Sequence, residues 1–275
     1  MILVDGHIHT PFCPHGSSDS FEEYVDWFIR NQYEEVSFTE HAPLPPGFSD
    51  TTPTKDSGMI PEQLIPYIEE LQNIKHKFRH KIKINIGLEV DFIEGFEKEI
   101  TAFLQEVGPL LDDSILSVHF IKHKERYHCL DYSDDYFNEM IQTYGSVSNI
   151  YDTYYATVKQ SILADLGKYK PKRIGHITLA HKFQLKYPVE RSFQPEEEAL
   201  LHLVKAQNLS LDYNGAGITK EYCREPYPPD YLVEKAIQLG IPMVYGSDAH
   251  TVKGLGQGRK HLNPSATFVK PSQFK

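Results

Sequence analysis

Cysteine is scarce in this chain of 275 residues, which contains three. Cys13, Cys129 and Cys223 lie far apart, and no pair has the CxxC spacing of a zinc ribbon or a redox motif. An odd number of isolated cysteines also argues against a disulfide framework. We therefore expect a protein of a reducing compartment, the cytoplasm.

Long apolar runs are lacking as well. No stretch approaches the roughly 20 apolar residues that are needed to cross a bilayer. The opening "MILVDGHIH" has neither the basic region nor the long apolar segment of a signal peptide. These absences favour a soluble protein that neither spans nor binds a membrane.

Positive charge is in deficit. The chain has 28 Lys and Arg against 38 Asp and Glu, a net charge of -10. Nucleic acids and anionic membranes attract proteins with clustered Lys and Arg, so neither is expected as a partner. The expected partner is a small molecule, and an anionic one would need local positive charge such as bound metal ions. The sequence gives no indication of oligomeric state.

Three common catalytic motifs are missing. There is no Walker loop, no GxGxxG after a predicted strand and no GxSxG nucleophile elbow. The segment "GLGQGRKH", residues 254–261, is rich in glycine but lacks P-loop spacing. A phosphate-binding turn there is one interpretation, and a flexible loop is the favoured one.

Short apolar runs rich in β-branched residues alternate with helical patterns along the chain. The runs are "MILVD", "EEVSFTEH", "IKINIGLEVD", "SILSVHF", "RIGHITLAH", "LSLDYN", "PMVYGSDAH" and, less clearly, "ATFVK". Strands that alternate with helices predict a parallel sheet. About seven such units predict a single α/β domain over residues 1–275, a TIM-like (β/α) barrel that is closed or nearly closed. A doubly wound open sheet is the alternative.

Helical patterns connect these runs. Ser20 and Glu23 have the spacing of a capping box ahead of the first helix. Further helices are predicted at 61–80, 96–107, 134–144, 149–167, 195–207 and 229–239. The stretch 42–58 is rich in Pro, Gly, Ser and Thr, which predicts a loop near the mouth of a site.

Nearly every predicted strand ends in His, Glu or Asp. These residues are His7 and His9, Glu40 and His41, Glu89 and Asp91, His119, His176 and His181, and Asp248 and His250. In a (β/α) barrel the active site lies at the carboxyl ends of the strands, so these side chains are expected to converge.

Two of the pairs that contain histidine have their residues two apart. His7 and His9 share one face of a strand, as do Asp248 and His250. Such pairs suit metal binding, although hydrogen-bonded histidines at a strand end are the alternative. First and last strands are neighbours in a barrel, so the two pairs would meet.

Other candidates surround these pairs. His15 adds an imidazole across a turn, and Cys13 is a weaker candidate as a soft ligand. A buried carboxylate at a strand tip must pair or bind a cation, which makes Glu89 a candidate to bridge two ions. Glu40 and Asp91 are expected instead to orient ligating imidazoles.

The ordered set of "HTPFCPHG", "TEH", "GLEVDFIEGFE", "SVHF", "IGH" and "SDAH" resembles the PHP (polymerase and histidinol phosphatase) superfamily, over residues 3–250. The closest likeness is to the histidinol-phosphate phosphatases. The resemblance implies a distorted seven-stranded (β/α) barrel that holds three divalent metal ions, Zn, Fe or Mn. The ligands it implies are His7, His9, His15, His41, Glu89, His119, His176, Asp248 and His250. Glu89, Asp248 and His250 are also the candidate catalytic residues.

The chain departs from its relatives at two places. Relatives carry an arginine shortly after the "IGH" histidine, where this chain has His181 and Lys182. They carry another in a "GLRK"-like stretch, where this chain reads "GITK" at residues 217–220. The candidates for substrate contact are therefore His181, Lys182, Asn214, Lys220 and Arg224. A lysine would contact phosphate without the two-pronged geometry of arginine.

The resemblance implies hydrolysis of L-histidinol phosphate. A hydroxide held between ions that share Glu89 would attack phosphorus directly. The 42–58 loop and Tyr227 are candidates to contact the amino-imidazole part of the substrate. The alternatives are another PHP phosphoesterase that acts on nucleotides or nucleic-acid ends, and a metal-binding module without catalysis.

Overall fold

The computed structural model describes residues 2–274. Its strands are β1 (Val4–Ile8), β2 (Glu35–His41), β3 (Lys83–Asp91), β4 (Asp113–Ser117), β5 (Phe120–His123), β6 (Arg126–Cys129), β7 (Arg173–Ile174), β8 (Ser210–Asn214) and β9 (Met243–Gly246). Seven of them form one parallel sheet in the order β1-β2-β3-β4-β7-β8-β9. The other two, β5 and β6, form an antiparallel hairpin.

The ends of the sheet meet. Ile8 forms a parallel bridge with Ala249, and the His9 N–H donates to the Ala249 carbonyl at 3.0 Å. The sheet is therefore a nearly closed barrel, as predicted, and the open doubly wound alternative is wrong.

The helices are α1 (Phe21–Arg30), α2 (Leu64–Phe78), α3 (Glu97–Val107), α4 (Asp134–Tyr144), α5 (Val147–Leu163), α6 (Gln194–Ala206), α7 (Ala216–Thr219) and α8 (Asp230–Leu239). The predicted capping box is present, since Ser20 accepts from the Glu23 N–H and Glu23 reaches back to the Ser20 N–H. Gly240, at φ 62°, ends α8 in the left-handed conformation that glycine adopts easily. No helix among residues 2–274 is both long and apolar enough to cross a membrane.

Among the differences from the sequence predictions, two concern whole strands. The run "ATFVK" forms no strand, because Phe268 makes only a single bridge with Met243. The hairpin of β5 and β6 was not predicted, since its turn is charged and its buried residues, Phe120, Ile121 and Cys129, lie only at its two ends. The 42–58 stretch is a loop, as expected.

A buried arginine lies in the barrel interior. Arg173 of β7 is 1% exposed, and its guanidinium donates to Asp113 Oδ2 at 2.6 Å and to the Gly6 carbonyl at 2.8 Å. A Cβ on Gly6 would collide with this guanidinium, so glycine is needed at that position. The ion pair thus joins β7 to β1 and β4 inside the barrel.

Candidate active site

The carboxylate of Glu89, at the end of β3, lies at the centre of a group of imidazoles. Its Oε1 accepts from the Ser117 hydroxyl at 2.6 Å and lies 3.0 Å from His176 Nε2. Its Oε2 lies 3.1 Å from His41 Nδ1 and 3.3 Å from His7 Nε2. The side chain is almost fully buried, and each of its oxygens faces a different set of histidines.

The two pairs that the sequence placed on single strand faces meet here. Asp248 Oδ1 lies 3.1 Å from His9 Nε2 and 3.8 Å from His7 Nε2. The His250 ring stacks on His9 with their centroids 4.0 Å apart, and the His15 ring lies 5.0 Å from that of His250. His119 completes the group, with Nε2 3.2 Å from His176 Nε2. The seven histidines expected as metal ligands are thus brought together.

Buried carboxylates fix the orientation of three of these rings. Nδ1 lies 2.8 Å from Asp212 in His7, 3.1 Å from Glu40 in His9 and 2.7 Å from Asp91 in His119. An ionised carboxylate only accepts hydrogen bonds, so in each ring Nδ1 carries a proton and Nε2 is the nitrogen left to bind a metal ion.

Backbone carbonyls do the same for two further rings. His15 Nδ1 donates to the Asp56 carbonyl at 3.1 Å, and His250 Nδ1 donates to the Asp248 carbonyl at 3.2 Å. The Asp56 contact explains how the 42–58 loop contributes, because it orients His15. Glu40 and Asp91 have the orienting position that the sequence indicated. Asp212 was not singled out, although it shares the inward face of β8 with Asn214, two residues on.

The donor set fits divalent metal ions. His7 Nε2, His41 Nδ1 and Glu89 Oε2 are buried without a hydrogen-bond partner. Lone pairs that face one another at these distances repel unless a proton or a metal ion lies between them. Three groups have ligand atoms within 4.8 Å of one another: His7, His9 and Glu89; Glu89, His119 and His176; and His9, Cys13, His41 and His250. Nitrogen and carboxylate donors in such groups suit Zn, Fe or Mn.

The pKa shifts of the histidines and carboxylates also indicate that positive charge is favoured in this cluster. Burial alone would lower the pKa of His9, but hydrogen bonds to Asp248 and Glu40 outweigh it and raise the pKa to about 9. For His119, burial is likewise outweighed by the charges of Asp91 and Glu89, which raise the pKa to about 10. Burial raises the pKa of Glu89, yet the surrounding imidazoles hold it well below its usual value. Carboxylates in this cluster therefore stay ionised and attract cations.

A cavity of about 690 Å³ opens beside the cluster. Glu89, His119, His176, Asp248 and His250 form part of its wall, with Thr54, Asp56 and Ser57 of the 42–58 loop on another part. Tyr227, Lys182 and Lys220 also line it. The volume falls within the range of small-molecule sites, about 300 to 1,000 Å³.

The two lysines differ in their surroundings. Lys182 Nζ donates to the Asp131 carboxylate at 2.9 Å and to the Asp131 carbonyl at 2.6 Å, so its charge is already paired. Lys220 is exposed just after the short helix α7 and forms no ion pair with a carboxylate among residues 2–274. Asp131, which also lines the cavity, was missed because its pairing with Lys182 spans 51 residues.

Three predicted substrate contacts lie elsewhere. His181 does not line the cavity, because Glu225 and Glu197 bind its two ring nitrogens at 2.6 and 3.0 Å. Arg224 lines a separate cavity, together with Tyr231 and other residues. Asn214 is fully buried beneath the cluster and contacts carboxylates. Their positions in the sequence suggested that these residues lie near the site. The sequence could not show which other side chains they contact.

Known proteins share this fold and sequence. The PHP domain family matches residues 5–216. The histidinol-phosphatase of Bacillus subtilis (strain 168) is 46% identical over 254 residues, covering 92% of this chain and 95% of the relative. A crystal structure from Listeria monocytogenes, of a protein provisionally called a histidinol phosphatase, has a TM-score of 0.90 at 39% identity and covers 94% of this chain and 100% of its own.

A more distant structure has the same fold. Histidinol phosphate phosphatase from Lactococcus lactis, in complex with Zn, L-histidinol and phosphate, has a TM-score of 0.62 at 21% identity, covering 91% of this chain and 87% of its own. With the family match over most of the barrel and a 46% identical relative along nearly its full length, the chain belongs to the PHP domain family and, within it, to the histidinol phosphatases.

Proposed function

We propose that the protein hydrolyses L-histidinol phosphate to L-histidinol and phosphate in a metal-dependent reaction. The observation that carries this proposal is the convergence of imidazole lone pairs and carboxylate oxygens on Glu89 beside a cavity of substrate size. The 46% identity to a histidinol-phosphatase supports the choice of substrate.

The proposed centre holds three divalent ions, Zn, Fe or Mn. The three overlapping groups of ligand atoms support this number, with Glu89 shared between two of them. The proposed ligands are His7, His9, His15, His41, Glu89, His119, His176, Asp248 and His250. Ions bound there would neutralise phosphoryl oxygens and activate water near neutral pH.

The protein's own residues prepare this centre. Asp212, Glu40 and Asp91 hold their imidazoles in the tautomer that presents Nε2. Glu89 and Asp248 remain ionised, because hydrogen bonds and nearby imidazoles lower the pKa of both despite burial. The site is thus ordered before substrate binds, which reduces the reorganisation needed during the reaction.

The cavity wall suits a molecule with an anionic and a cationic end. Lys220 is the proposed phosphate contact, because it lines the cavity and forms no ion pair with a carboxylate among the described residues. Asp56 of the 42–58 loop and Tyr227 are proposed to face the amino-imidazole part. Lys182 is proposed to act with Asp131 on the same wall.

A substrate panel tests the proposal. The purified enzyme, supplied with Zn, Mn or Fe(II), is assayed with histidinol phosphate, nucleoside monophosphates and 3′-phosphorylated oligonucleotides. We expect kcat/KM to be highest for histidinol phosphate. Turnover of the oligonucleotides alone would contradict the assignment. Glu89→Gln should abolish turnover, whereas the matched change at the exposed Glu22 of α1 should not.

A further inference from the structure

Asn214, the last residue of β8, has a fixed amide orientation. Its side chain is fully buried, and its Oδ1 accepts the Ala216 N–H at 2.9 Å. A backbone N–H can only donate, so the oxygen of this amide must face Ala216. The NH₂ group of Asn214 therefore points the opposite way, toward the metal-binding cluster.

Two carboxylates receive this NH₂ group. Nδ2 of Asn214 lies 3.1 Å from Asp212 Oδ2 and 3.1 Å from Asp248 Oδ2. An amide NH₂ carries two hydrogens, so it can donate to both acids at once. Without it, the buried carboxylate of Asp212 and the partly buried carboxylate of Asp248 would have no shared donor, and their negative charges would repel.

Each of the two acids that contacts Asn214 also contacts a histidine of the cluster. The Oδ2 of Asp212 that accepts from Asn214 also accepts from His7 Nδ1 at 2.8 Å. For Asp248, Asn214 binds Oδ2 while Oδ1 faces His9 Nε2. The Asn214 amide thus links Asp212, which orients His7, to Asp248, which lies against His9.

Asp248 needs such a support because its backbone is not in regular strand geometry. It lies beyond the end of β9 at φ 52°, a left-handed conformation that is uncommon for residues other than glycine. Gln257 supports the backbone here, since its Nε2 donates to the Ser247 carbonyl at 2.6 Å. The Asp248 side chain is held between Asn214 Nδ2 on Oδ2 and His9 Nε2 on Oδ1.

We infer that Asn214 is a positioning residue that fixes Asp248 and Asp212 for metal binding and makes no contact with substrate. This inference rests on the proposed function for the identity of the substrate. The expected effect on metal binding is independent of that function. Removal of the amide should free Asp248 to rotate and weaken the hold of Asp212 on His7. Loss of such orienting partners typically costs about 10–100-fold in metal affinity or activity.

Asn85 offers a matched control. It is also a buried asparagine on a barrel strand, and its Nδ2 donates to Glu35 Oε1 at 2.9 Å and to Ser37 Oγ at 3.2 Å. It lies near the amino ends of the strands, away from the cluster. Asn85→Ala therefore reproduces the loss of a buried bridging amide without touching the site.

The experiment compares Asn214→Ala, Asn214→Ser and Asn85→Ala with the wild type. Metal affinity is measured by competition with a chelator, and the absorption spectrum is recorded after loading with Co(II). Values of kcat and KM are then measured separately with histidinol phosphate. We expect both Asn214 variants to lose about tenfold or more in metal affinity, to show an altered Co(II) spectrum and to lose kcat with little change in KM. Asn85→Ala should keep the wild-type metal affinity and spectrum.

Several results would overturn the inference. A raised KM with unchanged metal affinity and Co(II) spectrum would make Asn214 a substrate contact. Folded Asn214 variants with wild-type metal affinity, Co(II) spectrum and kcat would also contradict it. An equal loss of metal affinity in Asn85→Ala would do the same. If the wild type fails to hydrolyse histidinol phosphate, the proposed function fails, while the affinity and spectrum still decide the role of Asn214.

Discussion

His7 Nδ1 lies 2.8 Å from Asp212 Oδ2, and neither side chain is exposed to solvent. The hydrogen bond joins β1 to β8 across 205 residues of sequence. It fixes the tautomer of His7, so the other ring nitrogen faces Glu89 as a lone-pair donor.

Replacing Asp212 should therefore weaken metal binding. We expect Asp212→Ala to lower metal affinity or kcat/KM by about 10–100-fold. Asp212→Asn should lose less, because an amide oxygen can still accept the His7 Nδ1 hydrogen. Chelator competition and steady-state assays measure both effects. Wild-type metal affinity in Asp212→Ala would show that the contact between Asp212 and His7 has no role in metal binding.

Lys220 should matter for substrate binding more than for turnover. Lys220→Ala removes an ammonium group from the cavity wall that forms no ion pair among the described residues. The loss of a charge-assisted contact of about 1.5–3 kcal/mol predicts a KM at least about tenfold higher. Arg224→Ala, in the separate cavity, should leave KM unchanged. An equal rise in KM for both variants would refute the assignment.

The buried ion pair of Arg173 and Asp113 should dominate stability inside the barrel. Arg173→Met leaves Asp113 buried without its partner, which should lower the free energy of unfolding by about 3–5 kcal/mol. Adding Asp113→Asn should recover part of this loss, because no unpaired charge remains. Urea denaturation measures each value, and Lys77→Ala, at an exposed pair with Glu22, should cost less than about 1 kcal/mol.

Stability should also depend on pH through His181. Burial would lower the pKa of this imidazole, but hydrogen bonds to Glu197 and Glu225 outweigh burial and raise it from 6.5 to about 9. Protonated His181 thus stabilises the folded state fully below pH 6.5, and this contribution is lost as the pH rises through about 9.

The change His181→Gln should remove that dependence. The difference in free energy of unfolding between wild type and variant should be largest near pH 6 and smallest near pH 10. His202→Gln, at an exposed position on α6, serves as the control. A difference that stays constant or grows with pH would contradict the raised pKa.

Periodicity predicted the alternating strands and helices of the barrel and two pairs of residues in the cluster. Residues two apart on a strand share a face, so the pairs His7 with His9 and Asp248 with His250 could be assigned to one site before any coordinates. The carboxyl-end rule then brought Glu89 to the same place. The alternation of side chains between two faces is a property of the strand itself, so it does not depend on what the strand packs against.

Partners that are distant in sequence could not be predicted in this way. His181 follows a strand as the ligands do, yet Glu197 and Glu225 occupy both its nitrogens. Asn214 was expected to touch substrate, but it lies one layer deeper, between two acids. In each case the packing of another loop or strand determines what the side chain meets.

Metal dependence of histidinol phosphate hydrolysis tests the central claim most directly. The protein is stripped of metal with a chelator, and Zn, Mn or Fe(II) is then added back in measured equivalents while turnover is followed. The account predicts that stripping abolishes hydrolysis and that activity returns as the added metal approaches three equivalents. Full hydrolysis by the metal-free protein would contradict it.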